Sequence, residues 1–275
     1  MASTSVTTMS TDLFVPEVLA DYIEQKYIDY VRFAPLAEID NTLEGRAGDT
    51  LTMPFWKINS VIPATTDVAE GADIPIAKLE QDTTTATVGK FGVGVQYTDE
   101  AEMNGWGNTA EEAVKQILAG IADQLENKML AVMANCSLTH TVTKAQGDVG
   151  GQFGDALIQF GEDIDGEKVL LVDPATYGLL RHSKDWIPNT EIGAELIIKG
   201  AVGMIHGCQI VVTNRLTGKN LAYIVKRGAL RIVSKRGVLV ETDRDIIDQT
   251  NYVTGTKICA PYLYNDSKII KVTIA

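Results

Sequence analysis

The sequence predicts an α+β fold, because one long helical pattern and several strand patterns follow each other without a regular βαβ rhythm. Residues 109–135 carry apolar side chains at three- and four-residue steps, which predicts a helix about 40 Å long. Residues 49–97 contain two stretches of period-two alternation, which predict a long β-hairpin. From residue 168 onwards, short strand patterns are mixed with one further helix.

The composition is that of a globular protein. The chain has 275 residues, 45% apolar and 22% charged, so it can bury a large core and form about two domains. A net charge of −12 argues against a surface that generally coats nucleic acid. No stretch approaches the roughly 18 apolar residues of a membrane span, so we expect no membrane partner. Cys136, Cys208 and Cys259 lie in apolar stretches and are predicted to be buried thiols.

The first predicted helix lies within residues 12–30. Its apolar side chains have helical spacing, Pro16 suits the first turn, and Asp12 is a candidate cap. This segment is either an ordinary helix packed on its own core or an arm that lies across a neighbouring subunit.

The predicted hairpin follows. Leu51, Met53 and Phe55 alternate with polar residues and proline, and residues 83–97 form the answering strand. The connection at residues 57–82 is polar, without periodicity, and longer than is common inside a compact domain. We therefore expect it to project and to become ordered on a partner. Its charged residues that are candidates for inter-subunit contact are Lys57, Asp67, Glu70, Asp73 and Lys78.

The long helix begins at Asn108 or Thr109, each of which has a glutamate three residues later, as in a capping box. Glu111 and Glu112 also favour the positive end of the helix dipole. The later elements predicted along the chain are a link at 139–151, a strand at 169–172, a helix from Asp173–Pro174 to 181, strands at 204–213 and 221–225, a strand pair at 230–241 around Arg236–Gly237, and closing strands at 251–261 and 268–274.

Sequence motifs of catalysis are absent. The chain has no G-x-S-x-G elbow, no Walker loop and no H-E-x-x-H pair. A triad of His182 and Ser183 with Asp173 or Asp185 has no local signature. The cysteines and histidines also lack the spacing of metal ligands. We therefore expect no enzyme activity, no cofactor and no metal.

A run of basic residues precedes a run of acids near the end of the chain. The bases lie within eleven residues that contain no acid, and they are Lys226, Arg227, Arg231, Lys235 and Arg236. The acids that follow are Glu241, Asp243, Asp245 and Asp248. The run is a solvated strand face, a basic edge that meets an acidic edge of a neighbour, or a contact with packaged nucleic acid. The candidates for inter-subunit contact here are Arg227, Arg231, Arg236, Asp243 and Asp245.

Four stretches are similar to segments of phage coat proteins: DLFVPEVLADYIEQKYIDYVRFAPLAEID (12–40), GDTLTMPFWKI (48–58), VGKFGVGVQYTDEAEM (88–103) and LLVDPATYGLLRHSKDW (170–186). The order of arm, hairpin, long helix and mixed α+β region is also that of a phage coat protein. The chain therefore resembles the major capsid proteins of tailed bacteriophages, which have the Hong Kong 97-type fold. No single motif carries the resemblance; the conjunction over nearly the whole chain does.

The resemblance implies a division of the chain. Residues 1–30 would be the N-arm, and residues 47–98 the E-loop that overlaps an adjacent subunit. The P-domain would comprise residues 31–46, 99–145 and 251–275, with the spine helix at 109–135. Residues 146–250 would form the A-domain.

The resemblance also implies partners and a location. The subunit would form hexamers and pentamers in an icosahedral shell that encloses double-stranded DNA through weak, non-specific contacts. Because the arm begins almost at Met1, scaffolding would come from a separate protein, and a portal protein would join the shell. Assembly would take place in the bacterial host cytoplasm, and the product would be the virion capsid. The alternatives are an encapsulin-type nanocompartment shell and, from a different class, a soluble hydrolase that uses His182 or His206.

Overall fold

The computed structural model describes residues 31–57, 67–68, 73–74, 76, 78–104, 109–144, 148–183, 187–188 and 201–275. The predicted helix at 12–30 and the candidate cap Asn108 lie outside these residues. The described strands are β1 (Ala37–Asp40), β2 (Thr50–Lys57), β3 (Glu80–Thr87), β4 (Gly89–Thr98), β5 (Leu138–Val142), β6 (Lys168–Val172), β7 (Ile187–Pro188), β8 (Ala201–Ile205), β9 (Cys208–Val212), β10 (Leu221–Lys226), β11 (Leu230–Asp245), β12 (Thr250–Leu263) and β13 (Ile269–Ile274). The described α-helices are α1 (Asp99–Asn104), α2 (Thr109–Met133), α3 (Val149–Ala156) and α4 (Pro174–Leu180).

The strands form three sheets. The largest has the order β5-β13-β10-β6-β9-β8-β7, the second has the order β1-β11-β12-β4, and the third is the hairpin β2-β3. In the largest sheet, β6 and β9 are parallel neighbours, and every residue of β6 is buried. Such a continuous apolar strand indicates that both faces of the sheet are covered.

Two cores cover those two faces. Val169 and Leu171 of β6 face the cluster that contains the apolar stripe of α2. Leu170 and Val172 face a second cluster, which is built with helices α3 and α4. Helix α2 therefore packs against the four-stranded sheet and also reaches one face of the seven-stranded sheet. Cys136, Cys208 and Cys259 are free and buried, as predicted.

Two glycines allow α2 to approach the four-stranded sheet closely. A Cβ at Gly255 in β12 would lie 2.4 Å from Cγ2 of Ile117, and a Cβ at Gly120 in α2 would lie 3.2 Å from Cγ1 of Val93. At this helix–sheet contact the glycines leave room for the side chains of Ile117 and Val93, which lie almost against them.

The hairpin β2-β3 joins the body at its base. Its register runs from the pair Thr50 and Thr87 to the pair Lys57 and Glu80. A small core holds the base, and the hydroxyl of Tyr262 lies 3.0 Å from Sδ of Met53.

The predicted hairpin and the predicted long helix are both confirmed. The predicted strands at 169–172, 221–225, 251–261 and 268–274 are confirmed too, with bounds that differ by at most two residues.

The predicted single strand at 83–97 is wrong in one respect. It is two strands, β3 and β4, in different sheets. Val88 lies between them and donates its backbone N–H to Asp49 at 2.8 Å. The buried face changes at this point: Ala86 and Val88 face the core at the hairpin base, whereas Phe91 packs against the core of α2.

Three other predictions are corrected. The strand at 204–213 is the pair β8 and β9, joined by His206 (φ 45°) and Gly207 (φ 75°), a two-residue turn with both φ values positive. The pair at 230–241 is one strand, β11, which bends at register shifts on either side of Arg236. The link at 139–151 contains most of β5 and the start of α3, whose cap is Asp148.

The sheets cross the predicted domain boundaries. Strand β11 lies in the predicted A-domain range but belongs to the four-stranded sheet, whereas β5 and β13 lie in the predicted P-domain ranges but belong to the seven-stranded sheet. The domain limits themselves stay a prediction. No described helix is both long and apolar enough to cross a membrane.

Candidate assembly interface

The outer part of the hairpin and the segment that connects its strands expose apolar side chains. Ile76 is 98% exposed, Ile74 76%, Leu79 64% and Val68 43%. An isolated two-stranded hairpin is marginal in water, and apolar groups grouped on a projection mark a surface that a partner covers. The isoleucines were not among the residues predicted from the sequence to contact a neighbour, although they cluster in IPIAKL (74–79).

The charged candidates in this segment lie among those apolar groups. Asp67, Asp73 and Lys78 are exposed. Lys57 is the last residue of β2 and stands opposite Glu80 in the register. Glu70 lies outside the described residues. These positions are suited to contact with a neighbour, and their role stays a prediction.

The basic run is engaged largely inside the chain. Arg227 lies 3.4 Å from Glu167, and Arg231 lies 3.1 Å from Glu38 and stacks 3.7 Å above the ring of Tyr264. These exposed or half-buried pairs contribute little to stability because water screens them. Contact of this run with a neighbour would therefore have to compete with pairs that the subunit already makes.

Two further bases of the run also have partners within the subunit. Lys226 is buried beside Asp163 at 3.0 Å and lies 4.9 Å from the ring of Phe160. Arg236 donates through Nη2 to the hydroxyl of Thr256 at 2.9 Å. The run is therefore not a continuous free basic face.

The acidic candidates Asp243 and Asp245 lie near the turn between β11 and β12. Asp245 accepts a hydrogen bond from the backbone of Ile247 at 2.9 Å. This local bond shapes a turn that exposes Ile246 by 80% and Ile247 by 87%. Asp243 is exposed and accepts from the backbone of Arg244 at 2.8 Å.

The stem of this turn is tied to β4 and α1. Asp99 lies 2.5 Å from Nη2 of Arg244 and accepts from Asn251 at 2.8 Å. Its backbone N–H donates to Gln249 at 3.1 Å. Arg244 and Asn251, together with Tyr97 and Tyr252, also line a shallow open groove beside the stem. The turn is thus a second exposed apolar projection, held in place by a charged network.

Sequence reasoning also missed a buried ion pair. Glu126 of α2 is fully buried and lies 2.5 Å from Nη1 of Arg215, which follows β9. The signal was present in the sequence: Glu126 stands four residues from both Ala122 and Leu130, on the buried stripe of the helix. A charge on such a stripe indicates a paired group.

The hypothetical catalytic groups are occupied elsewhere. Asp173 accepts from the backbone of Thr176 at 3.1 Å and caps α4. Ser183 donates to Asp148 at 3.4 Å, and Nε2 of His206 lies 3.0 Å from the carbonyl of Gly150. Within the described residues, no group of three or more His, Cys, Asp or Glu side chains could hold a metal.

Comparison with known proteins supports an assembling subunit. The family model for phage capsid protein matches residues 81–262. The major capsid protein of Staphylococcus phage phiMR11 is 33% identical over 270 residues, which are 97% of this chain and 95% of that protein.

Solved shells share the fold. The capsid of cyanophage P-SCSP1u matches with a TM-score of 0.65 at 15% identity, over 99% of this chain and 93% of that one. A structure from Mycobacterium phage Che8 matches with a TM-score of 0.64 at 12% identity, over 99% and 98%. The virus-like particle of Pyrococcus furiosus matches with a TM-score of 0.64 at 10% identity, over 93% and 98%. At these identities the likeness shows the fold alone.

The fold is thus that of shell-building subunits, and the predicted Hong Kong 97-type fold is confirmed. This chain belongs to the phage capsid protein family. It is a structural subunit of a multi-subunit virion shell, and the prediction of a major capsid protein is confirmed. The similarity along nearly the whole length of a phage major capsid protein does not favour the nanocompartment alternative.

Proposed function

We propose that this chain assembles as hexamers and pentamers into the icosahedral head of a tailed bacteriophage, which encloses double-stranded DNA. The observation that carries the proposal is the hairpin β2-β3 with the segment that connects its strands. It exposes three apolar side chains by 64–98%, and its described residues include a small core that joins its base to the body. Such a projection is stabilised when a neighbouring copy covers it.

Symmetry multiplies that contact. Burial of one isoleucine side chain is worth about 1.5–3 kcal/mol, so Ile74, Ile76 and Leu79 supply a substantial apolar contact per subunit. Copies that repeat the same contact around closed symmetry axes add these modest energies into a stable shell.

The charged residues set the register of the contacts. Lys57, Asp67, Glu70, Asp73 and Lys78 of the hairpin are proposed to pair with a neighbour. Arg236, Asp243 and Asp245 remain proposed contacts on the body. Arg227 and Arg231 take part only if they exchange their pairs with Glu167 and Glu38 for a neighbour's acids.

The partners follow from the same assignment. A separate scaffolding protein guides assembly in the bacterial host cytoplasm, and a portal protein occupies one site of the shell. The net charge of −12 suits a container that holds DNA by weak, non-specific contact. Membership in a family of structural proteins favours a role without enzymatic activity, cofactor or metal.

Electron microscopy of negatively stained particles tests the proposal. The protein is expressed alone and with a candidate scaffolding protein, and the particles are assayed for nuclease-protected DNA. Closed shells or curved sheets of capsomers support it. A uniform small oligomer in both conditions contradicts it, and shells that hold protein cargo without DNA support the nanocompartment alternative.

A deletion of residues 59–78 tests the hairpin separately. We expect a soluble, folded subunit that builds no normal shells. A second variant replaces the same residues by a flexible polar linker of equal length, which keeps the reach but removes Ile74 and Ile76, and it is also expected to build no normal shells. Wild-type-like shells from the deletion would remove the hairpin's connecting segment from the proposed contact, and such shells from the linker variant would remove the side chains of that segment.

A further inference from the structure

Glu126 occupies an unusual position on α2. Its side chain is 0% exposed and lies within the apolar stripe of the helix. A carboxylate buried in this way is costly unless charges and hydrogen-bond donors surround it. The donors that surround Glu126 come from two distant parts of the chain.

The first donors belong to the segment that enters the body from the N-terminal side. Oε1 of Glu126 accepts hydrogen bonds from the backbone N–H groups of Arg32 and of Phe33, the latter at 3.0 Å. Phe33 is itself 0% exposed. Nη1 of Arg32 donates to the carbonyl of Val212 at 3.0 Å.

The second donor is Arg215, in the short turn after β9. Its Nη1 lies 2.5 Å from Oε2 of Glu126, and its Nη2 lies 2.9 Å from the exposed carboxylate of Asp123. The contact with Oε2 is an ion pair rather than an aligned hydrogen bond. Burial raises the pKa of the Glu126 carboxyl, while the N–H groups of Arg32 and Phe33 and the charge of Arg215 oppose that rise.

Glu126 therefore joins three parts of the subunit: the entry of the N-terminal segment, helix α2, and an end of the seven-stranded sheet. We propose that Glu126 is a positioning residue that fixes the backbone at Arg32–Phe33, and that shells close only when this anchor is intact. The assembly part of this inference rests on the proposed function.

Two N–H groups make the carboxylate hard to replace. An apolar pair at positions 126 and 215 removes the buried charges together and can be neutral or stabilising for the body. The same replacement leaves the N–H groups of Arg32 and Phe33 without an acceptor, which favours their release to water. Stability of the body and anchoring of the N-terminal segment can therefore be separated by mutation.

Limited trypsin digestion of the soluble full-length subunit measures the anchor. The readout is the rate of cleavage after Arg32, normalised to cleavage after Arg46, which is exposed in a turn. Glu126→Gln is expected to raise this ratio by about tenfold or more, because cleavage requires local opening. Asp123→Asn, the matched control, removes the charge of the exposed partner of Arg215 and keeps an amide oxygen that accepts from Asn127. It is expected to change the ratio by less than about twofold.

The double variant Glu126→Leu/Arg215→Leu distinguishes positioning from general stability. Its urea midpoint is expected to recover relative to Glu126→Leu alone, while cleavage after Arg32 stays fast. Recovery of both quantities would overturn the proposal, since the N–H acceptor would then be unnecessary. An unchanged cleavage ratio in Glu126→Gln would overturn it as well.

Assembly with scaffolding protein provides the last readout. Wild type and Asp123→Asn are expected to give closed shells, and Glu126→Gln and the double variant open sheets or irregular particles. Closed shells from the double variant would overturn the assembly part. If wild type itself gives only a small oligomer, the proposed function and the assembly part fail together, whereas the cleavage ratio still decides whether Glu126 anchors Arg32–Phe33.

Discussion

Helix α2 and the hairpin β2-β3 are close neighbours along the chain but differ in how they are held. Helix α2 buries eleven of its twenty-five residues, and nine of them belong to a core shared with two sheets. The hairpin is anchored at its base, and its outer part exposes Ile74 and Ile76. The helix is held within one subunit, whereas on the proposed function the hairpin is covered by a second copy. On that function, the residues that fold the subunit are distinct from those that assemble it.

The largest expected effect comes from the core beside α2. Leu171 is fully buried in the middle of β6. Leu171→Ala is expected to lower the free energy of unfolding by about 2–5 kcal/mol, from lost burial and the cavity left behind. Urea unfolding of the soluble subunit measures this. A loss below about 1 kcal/mol would mean that this core is loosely packed and would weaken the contrast with the hairpin.

The contact between α2 and β12 gives the next effect. Gly255→Ala places a Cβ 2.4 Å from Cγ2 of the buried Ile117, so we expect a loss of about 1–3 kcal/mol from overpacking. Gly178→Ala in α4 is the matched control, because its Cβ meets nothing within 4 Å and alanine favours a helix by up to about 1 kcal/mol. Ile117→Ala removes the clashing Cγ2, so its cost should be smaller in the Gly255→Ala background than in wild type. Equal effects of the two glycine substitutions would contradict the close approach.

Elements whose apolar pattern repeats over many residues could be predicted from the sequence. The predictions that failed did so for local reasons. Helix α2 and the hairpin were both predicted from the regular spacing of their apolar residues. The division between β3 and β4 was not, because the alternation continues while the chain changes sheets at Val88. Arg236–Gly237 resembles a turn, but the long partner β12 keeps β11 in one strand through a bulge.

The candidate assembly surfaces were also only partly predictable from the sequence. The hairpin was predictable because a polar segment without periodicity separates two strand patterns, whereas its projection onto a neighbour stays a prediction. The internal pairing of Arg227 with Glu167 and of Arg231 with Glu38 was not, since the partners are about 60 and 193 residues apart in sequence. Such contacts are determined by tertiary structure, which no local pattern encodes.

A buried thiol gives a smaller, pH-dependent effect in the body. Burial raises the pKa of Cys208 from 9.0 to about 12. The folded state therefore keeps a proton that the unfolded state releases, so this stabilisation is present below pH 9 and is lost as the pH rises towards 12. At pH 10 the loss from this thiol is about 1.4 kcal/mol.

Urea unfolding at pH 8 and pH 10 tests this with Cys208→Ala. The variant is expected to lose about 1.4 kcal/mol less than wild type between the two pH values. Cys136 and Cys259 also have pKa values raised by burial, and they remain in both proteins, so their contribution cancels. Identical losses in wild type and variant would show that Cys208 has the same pKa in the folded and the unfolded state.

The smallest effect on stability is expected in the hairpin, where the effect on assembly should be large. Ile76 is 98% exposed, so Ile76→Ser removes almost no burial and should change the free energy of unfolding by less than about 0.5 kcal/mol. If a neighbour covers this side chain, the same substitution removes apolar burial from every repeated contact, and shells should fail to form or fall apart at lower urea concentrations. Ile76→Val is the control that keeps most of the apolar surface, and it should assemble like wild type. Normal shells from Ile76→Ser would place Ile76 outside the inter-subunit contact, whereas a large loss of subunit stability would show that the hairpin packs on its own body after all.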